Sequence, residues 1–279
     1  KRGDRLGDWI IDFPLGAGGM GSVYRVHSVL SAEVFAAVKV LDPSNVGDIQ
    51  ARFVQEMKTL AGLSHPAIVR VLGGGRDEDR GLLYMAMELV EGEDLDARIE
   101  RAGALPPAEV VRLVRPLASA VAALHDAGMV HRDIKPANVI VRPSGEPVLL
   151  DFGLVQVEGS SLTATGDLMG SPAYMSPEQA TGARSAVGPS SDVYALGALA
   201  FALLCGRAPY EGSLYEVLDQ VVSRRPSWTR GVPRALRSVV KRAMEKEPQR
   251  RYAIEPTTDR AAIGTDEIGV DVCRWIACC

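Results

Sequence analysis

The sequence is poor in cysteine, in aromatic residues and in long apolar runs, and each shortage removes a class of protein. Only four cysteines occur in 279 residues, three of them (Cys273, Cys278 and Cys279) within the last seven, so they do not make a disulfide framework. A reducing, cytoplasmic setting is the expectation. The apolar residues from Tyr194 to Cys205 make a run of twelve. A bilayer crossing needs roughly 20, so this run reads as a buried core helix. Lys1-Arg2-Gly3-Asp4-Arg5 opens the chain with charge, and no secretory apolar segment follows it. With a net charge of −4 there is no excess of cations to draw a phosphate backbone, so nucleic acid is not expected as a partner. The basic residues between Arg234 and Arg251 read as a solvated helix face. Internal repeats and low-complexity tracts are missing as well. What remains, 47% hydrophobic and 24% charged, is the composition of a globular protein large enough for one big domain or two lobes sharing a cleft.

The two halves of the chain follow different periods. Trp9 to Leu15, Ser22 to Val26, Val34 to Leu41 and Leu82 to Leu89 are short β-branched and aliphatic stretches between glycines or charges, which predicts strands. Among them, Ile49 to Leu63 carries Phe53, Met57 and Leu60 at helical spacing. Beyond residue 90 the pattern turns helical, with segments at Pro107 to Ala127, Asp192 to Leu204, Ser213 to Arg224 and Arg234 to Glu245. A hinge is expected near Glu88-Leu89-Val90-Glu91-Gly92. The fold class is therefore α+β, a β-rich lobe with one main helix (1–88) followed by a helical lobe (89–252).

The densest chemistry lies in His131-Arg132-Asp133-Ile134-Lys135-Pro136-Ala137-Asn138. Asp133 can accept the proton of an attacking hydroxyl, Lys135 can neutralise a transferring phosphate, and Asn138 can offer a carbonyl oxygen to magnesium. Thirteen residues past Asn138 comes Asp151-Phe152-Gly153, after the apolar run Pro147-Val148-Leu149-Leu150 that predicts a buried strand. Gly16-Ala17-Gly18-Gly19-Met20-Gly21-Ser22-Val23 lets backbone N–H groups approach phosphate oxygens. A plain structural hairpin and a dinucleotide fold compete with that reading, but the latter needs a helix where Val23-Tyr24-Arg25-Val26 favours a strand. Lys39 stands in the apolar strand Val34 to Leu41, on the same face as Ala37, and Glu56 stands on the apolar stripe of the nearby helix. Each charge is costly there unless the other, or a phosphate, partners it.

Taken in order, the glycine loop, Lys39, Glu56, the His-Arg-Asp loop, Asp151-Phe152-Gly153 and Ser176-Pro177-Glu178 resemble the protein kinase family over about residues 9 to 252. The Gly-Gly-Met-Gly loop and the Ser-Pro-Glu-Gln ending are most similar to bacterial serine/threonine kinases of the eukaryotic-like (Hanks) type. The resemblance implies a two-lobed kinase fold with ATP and Mg2+ as cofactors, Mn2+ being a possible substitute. Leu15, Gly16, Ala17, Gly18, Gly19, Met20, Gly21, Ser22, Val23 and Ala37 would surround the nucleotide. Lys39, kept in place by Glu56, would hold the α- and β-phosphates. Glu88 and Val90 would offer backbone groups to adenine behind the gate residue Met87. Asp133 would orient the acceptor, Lys135 would sit on the γ-phosphate, and Asn138 and Asp151 would hold the metal.

Lys135, two residues after the catalytic Asp, points to Ser or Thr acceptors on proteins. By the same resemblance, Asp192 would anchor the His-Arg-Asp loop, although as a bare residue it reads equally well as a helix cap. Arg251 would pair with Glu178. Ser160, Ser161, Thr163, Thr165 and Ser171 form a hydroxyl-rich segment, and Arg132 would await a phosphate on it. Thr163 and Thr165 are the expected phosphosites, modified by a second copy of the chain. Related small-molecule kinases, catalytically silent pseudokinases and dinucleotide enzymes are the alternatives. The first usually lack the segment ending at Glu178, and the second usually lose one of Lys39, Asp133 and Asp151. Residues 253–279 depart from the family pattern, with Pro256, Gly264, Gly269 and the cysteine cluster in place of a closing helix. Those three cysteines fall short of the four ligands zinc wants, and no nearby His completes them. No membrane segment is expected in this chain, although a longer parent could be membrane-anchored.

Overall fold

The computed structural model describes residues 1–18, 21–41, 48–77, 80–151 and 172–253. These fall into two compact units, one made of Lys1–Ser64 and Val69–Glu91, the other of His65–Ile68 with residues 92–151 and 172–253.

The first unit contains strands β1 (Arg5–Leu6), β2 (Trp9–Gly18), β3 (Gly21–Ser28) and β4 (Ser31–Leu41), helix α1 (Asp48–Gly62), and strands β5 (Val71–Asp77) and β6 (Leu82–Glu88). They form one antiparallel sheet in the order β1-β2-β3-β4-β6-β5. Leu6, Ile11, Val26, Ala36, Val38, Tyr84 and Ala86 make its core, flanked by Trp9, Tyr24 and Val40. Strand β5 is absent from the sequence expectations because Gly73-Gly74-Gly75 lowers its strand propensity. Packing explains the composition. A Cβ added at Gly74 would lie 2.4 Å from Met57 Sδ and 2.6 Å from the Tyr84 carbonyl oxygen, so glycine is what lets α1 rest on this strand.

The second unit contains β7 (Glu93–Asp94), α2 (Leu95–Ala102), α3 (Pro107–Asp126), β8 (Val139–Val141), β9 (Pro147–Leu149), α4 (Pro177–Ala180), α5 (Pro189–Cys205), α6 (Leu214–Ser223) and α7 (Arg234–Ala243). Helix α2 was not expected, since its eight residues include four charges; the Asp94 side chain starts it by accepting the Ala97 N–H at 2.8 Å. Helix α5 is buried from Ser191 through Cys205, and α3 and α7 pack against it. A helix apolar all round belongs in a core rather than on a surface. Strands β7, β8 and β9 form a small sheet, and residues 65–68 join this unit because the Leu149 N–H donates to the Ala67 carbonyl at 2.9 Å. Among the described residues no helix is long and apolar enough to cross a membrane.

Lys246 fastens the far side of this unit. Its Nζ donates to the Tyr210 hydroxyl at 2.8 Å, to the Tyr194 hydroxyl at 3.3 Å and to the Val221 carbonyl. Burial, reinforced by Arg251 and Arg225 and only partly offset by Glu245, pulls its ammonium down to about 8. A base with a depressed folded-state value disfavours folding while charged. Stability should therefore rise as pH climbs from about 8 towards the unfolded value of 10.5. Followed upward from pH 8, the melting temperature of the parent chain should gain on that of Lys246→Met, a difference that separates Lys246 from Tyr174, Tyr194 and Tyr210, whose raised values act in the opposite direction.

Candidate active site

Asp192 organises the loop from His131 to Asn138. Helix α5 begins at Pro189, so Asp192 is inside its first turn and is not its cap. Its side chain has no exposed surface. Oδ2 accepts the His131 N–H and Oδ1 the Arg132 N–H, both at 2.8 Å, and His125 Nε2 donates to Oδ2 at 2.7 Å. These bonds hold Arg132 at φ 67°, a left-handed conformation that costs a non-glycine residue about 1–3 kcal/mol. Its carbonyl is held too, accepting from Gln179 Nε2 at 2.7 Å. With both peptide groups tied, the Arg132 side chain is left exposed.

His131 is buried and bonded at both ring nitrogens. Nε2 donates to the Leu150 carbonyl at 3.0 Å, and Nδ1 accepts the Asp133 N–H at 3.3 Å, which fixes the tautomer with hydrogen on Nε2. The Leu150 N–H donates in turn to the Asn138 carbonyl at 2.8 Å. Leu150 is thereby clamped on both sides, and Asp151 leaves the clamp at φ 53°.

Three of the expected residues meet here. Asp133 Oδ2 accepts from Lys135 Nζ at 2.8 Å and from Asn138 Nδ2 at 2.9 Å, and Nδ2 also donates to the Asp133 carbonyl at 2.8 Å. Two acceptors on one side identify that amide atom as nitrogen, so Asn138 turns its Oδ1 the other way. Among the described residues Asp133 Oδ1 accepts no hydrogen bond.

The segment after residue 171 is bolted to the helical core. Arg251 grips Glu178 with two parallel bonds of 2.7 and 2.8 Å, and Ser191 Oγ adds a third at 2.7 Å. Burial would raise the Glu178 carboxyl, but Arg251 and Ser191 outweigh it and hold it below its ordinary value. One residue on, Gln179 Oε1 accepts the Ser176 N–H at 3.0 Å while its Nε2 reaches Arg132. Gln179, Ser191 and His125 were not singled out in the sequence. The Ser176-x-x-Gln179 spacing signals a capping box, but nothing in it announces the contact with residue 132.

In the first unit, Lys39 lies on β4 opposite Val23 of β3 and Met85 of β6, and is only 4% exposed. Ala37 faces Arg25 and Met87 on the same two neighbours. Leu15, Gly16, Ala17 and Gly18 end β2, and Gly21, Ser22 and Val23 begin β3, paired as an antiparallel hairpin with Gly18 opposite Gly21. A strand therefore follows the glycines, which removes the dinucleotide fold. Gly21 has φ +134°, and a Cβ there would lie 2.0 Å from the Val40 carbonyl oxygen, so the fold itself demands glycine. Glu56 shares a face of α1 with buried Phe53 and Leu60. The Glu88 N–H donates to the Arg70 carbonyl at 2.9 Å, and Met87 and Val90 are buried. Gly19, Met20, Phe152, Gly153, Ser160, Ser161, Thr163, Thr165, Ser171 and the three C-terminal cysteines lie outside the described residues.

Asp192→Ala should cost about 3 kcal/mol or more, because two peptide N–H groups and His125 lose their acceptor at a strained residue. Gln179→Ala, which removes a bond at a more exposed edge, should cost about 1 kcal/mol. Urea denaturation of both variants checks the ranking, and the reverse order would contradict it.

Comparison with known proteins agrees with this geometry. The family profile of the protein kinase domain matches residues 10–261. The serine/threonine-protein kinase PknL of Mycobacterium tuberculosis is 37% identical over 92% of the chain, PkaA of Streptomyces coelicolor 37% over 94%, and PrkC of Bacillus subtilis 34% over 85%. The chain spans 64%, 51% and 37% of those relatives' lengths, respectively. The crystal structure of the Mycobacterium tuberculosis PknI kinase domain superposes with a TM-score of 0.70 at 29% identity, covering 90% of this chain and 93% of that one. The chain belongs to the protein kinase domain family.

Proposed function

We propose that this chain is the catalytic part of a longer serine/threonine protein kinase, transferring the γ-phosphoryl group of ATP to Ser or Thr hydroxyls of proteins. Protein kinases as a family use ATP with a divalent cation. Here Mg2+ is the proposed ion, with Mn2+ as a substitute. The observation that carries the reading is the Asp133–Lys135–Asn138 cluster, in which the Asp133 carboxylate is held by an ammonium and an amide.

Each residue then has one task. Asp133, fixed through Oδ2, takes the acceptor's proton at Oδ1 and aligns its oxygen with phosphorus. Lys135 neutralises charge on the phosphoryl oxygens. Asn138 Oδ1 and the Asp151 carboxylate are hard oxygen donors and suit magnesium, which when bound spreads the charge of the phosphates. Lys39, with Glu56, is assigned to the α- and β-phosphates. The backbone of Leu15 to Val23, with Ala37, is assigned to the nucleotide, and that of Glu88 and Val90 to adenine. Gly16 supports this assignment, since a Cβ there would meet no atom within 4 Å and the fold alone does not require glycine. Residues 1–88 and 89–252 are proposed as the two lobes, and 253–279 as an appendage outside them. Thr163 and Thr165 are proposed as sites phosphorylated by a second copy.

Incubation with radiolabelled ATP and Mg2+, using a generic basic protein and the chain itself as acceptors, tests the reading. Asp133→Ala and Lys39→Met should each lower transfer on the order of a thousandfold with melting temperatures near the parent value. Transfer by Asp133→Ala at the parent rate would sink the assignment. Mass mapping should find the self-transferred phosphate on Thr163 or Thr165, and its appearance on other segments alone would remove those two sites.

A further inference from the structure

Helix α7 carries a cationic site that the proposed transfer reaction does not use. Arg234, Arg237, Ser238 and Lys241 follow one another at positions i, i+3, i+4 and i+7, so they share one face, and with Val232 they line a cavity of about 550 Å3. The opposite face of α7, Leu236, Val239, Val240 and Ala243, is buried. The sequence alone suggested a solvated stripe of charge, but the structure makes the stripe concave.

Three observations give the cavity its chemistry. Among the described residues none of the three cations is within ion-pair distance of a carboxylate, in a chain whose net charge is −4. Arg237 is already oriented, because its Nε donates to the Val232 carbonyl at 2.9 Å and one terminal nitrogen to the Thr229 carbonyl at 3.0 Å, with Trp228 beneath it at 5.9 Å. The ordering entropy of that side chain is therefore settled before any ligand arrives. Finally, two guanidinium groups, an ammonium and a hydroxyl form a donor set without an acceptor carboxylate, which suits the three oxygens of a phosphate monoester.

We propose that this cavity binds phosphoserine or phosphothreonine in a polypeptide, so that α7 holds a partner that has already been phosphorylated. The choice of a phosphorylated protein rests on the serine/threonine kinase reading, which makes that group the enzyme's own product. The few cations suit the single dianion of a phosphorylated side chain and the remaining volume of this open depression leaves room for the flanking peptide, whereas an anionic membrane needs a broad basic face with apolar residues to insert. Helix α7 packs on α5, the helix that carries Asp192, so an occupied cavity is one helix away from the catalytic loop.

The test is fluorescence anisotropy with the 279-residue chain and no ATP, so that it reads binding whether or not phosphotransfer occurs. The probes are a labelled peptide with a single phosphoserine flanked by alanine and glycine, its unphosphorylated twin, inorganic phosphate as competitor, and mixed phosphatidylglycerol–phosphatidylcholine vesicles. The phosphopeptide should bind and its twin should not. The exposed double variant Arg234→Gln/Lys241→Gln should weaken binding roughly tenfold or more, while Arg242→Gln on the same helix should leave it unchanged. Arg237→Gln should weaken it further, with circular dichroism reporting whether that variant folds. Equal binding of the two peptides, an unchanged double variant, binding of inorganic phosphate without any phosphopeptide, or binding to vesicles alone would each overturn the proposal.

Discussion

The carboxylate of Asp192 is the constraint on which the helical unit's chemistry depends. It lies inside α5, where water cannot solvate it, and its charge is satisfied by two backbone N–H groups and an imidazole. A buried anion of this kind does not tolerate a misplaced donor. The requirement runs both ways, because the loop must fold onto the carboxylate and the carboxylate must remain in the core. Arg132 enters the cluster in a left-handed conformation, and the tight turn at Pro136–Asn138, closed by the Asn138 N–H on the Lys135 carbonyl, then brings Asp133, Lys135 and Asn138 onto one another within six residues. Local strain is thus located directly beside the Asp133 cluster.

A second buried charge, Glu178, performs the matching task for the segment after residue 171. Its bidentate Arg251 pair spans 73 positions of sequence and joins the last described turn to the start of α4. Gln179 then carries that rigidity from α4 to the Arg132 carbonyl. Two charged anchors and one amide thus connect the end of the described chain, the α4 segment and the His131–Asn138 loop in a single bonded series.

Much of this was legible in the sequence where residue type and spacing admitted one explanation. Lys39 in an apolar strand and Glu56 on an apolar helical stripe were conspicuous because charge is expensive there. The strands β2, β3, β4 and β6 and the helices α1, α3, α6 and α7 followed their periods to within a few residues. Other features are hidden from the sequence, and three of them illustrate the physical reasons. Strand β5 has three glycines, of which Gly74 lies under Met57 of α1, and together they erase the propensity signal. The start of α5 falls before the expected one because its first turn, Pro189-Ser190-Ser191-Asp192, is polar and precedes the apolar run. Gln179 acts through its backbone acceptor on residue 132, a contact 47 positions away that no local pattern encodes.

The attachment of residues 65–68 has a topological consequence. The chain leaves the sheet-bearing unit after Ser64, contributes His65–Ile68 to the helical one, returns at Val69 and departs again after Glu91. His65 meets Ser119 at 3.2 Å, and Ala67 receives the Leu149 N–H, so four residues from the first third of the chain complete the wall behind β9. The helical unit is therefore discontinuous in sequence. A polypeptide starting at Gly92 would lack the Ala67 carbonyl that accepts the Leu149 N–H, which leaves a buried donor of β9, two residues from Asp151, without its partner.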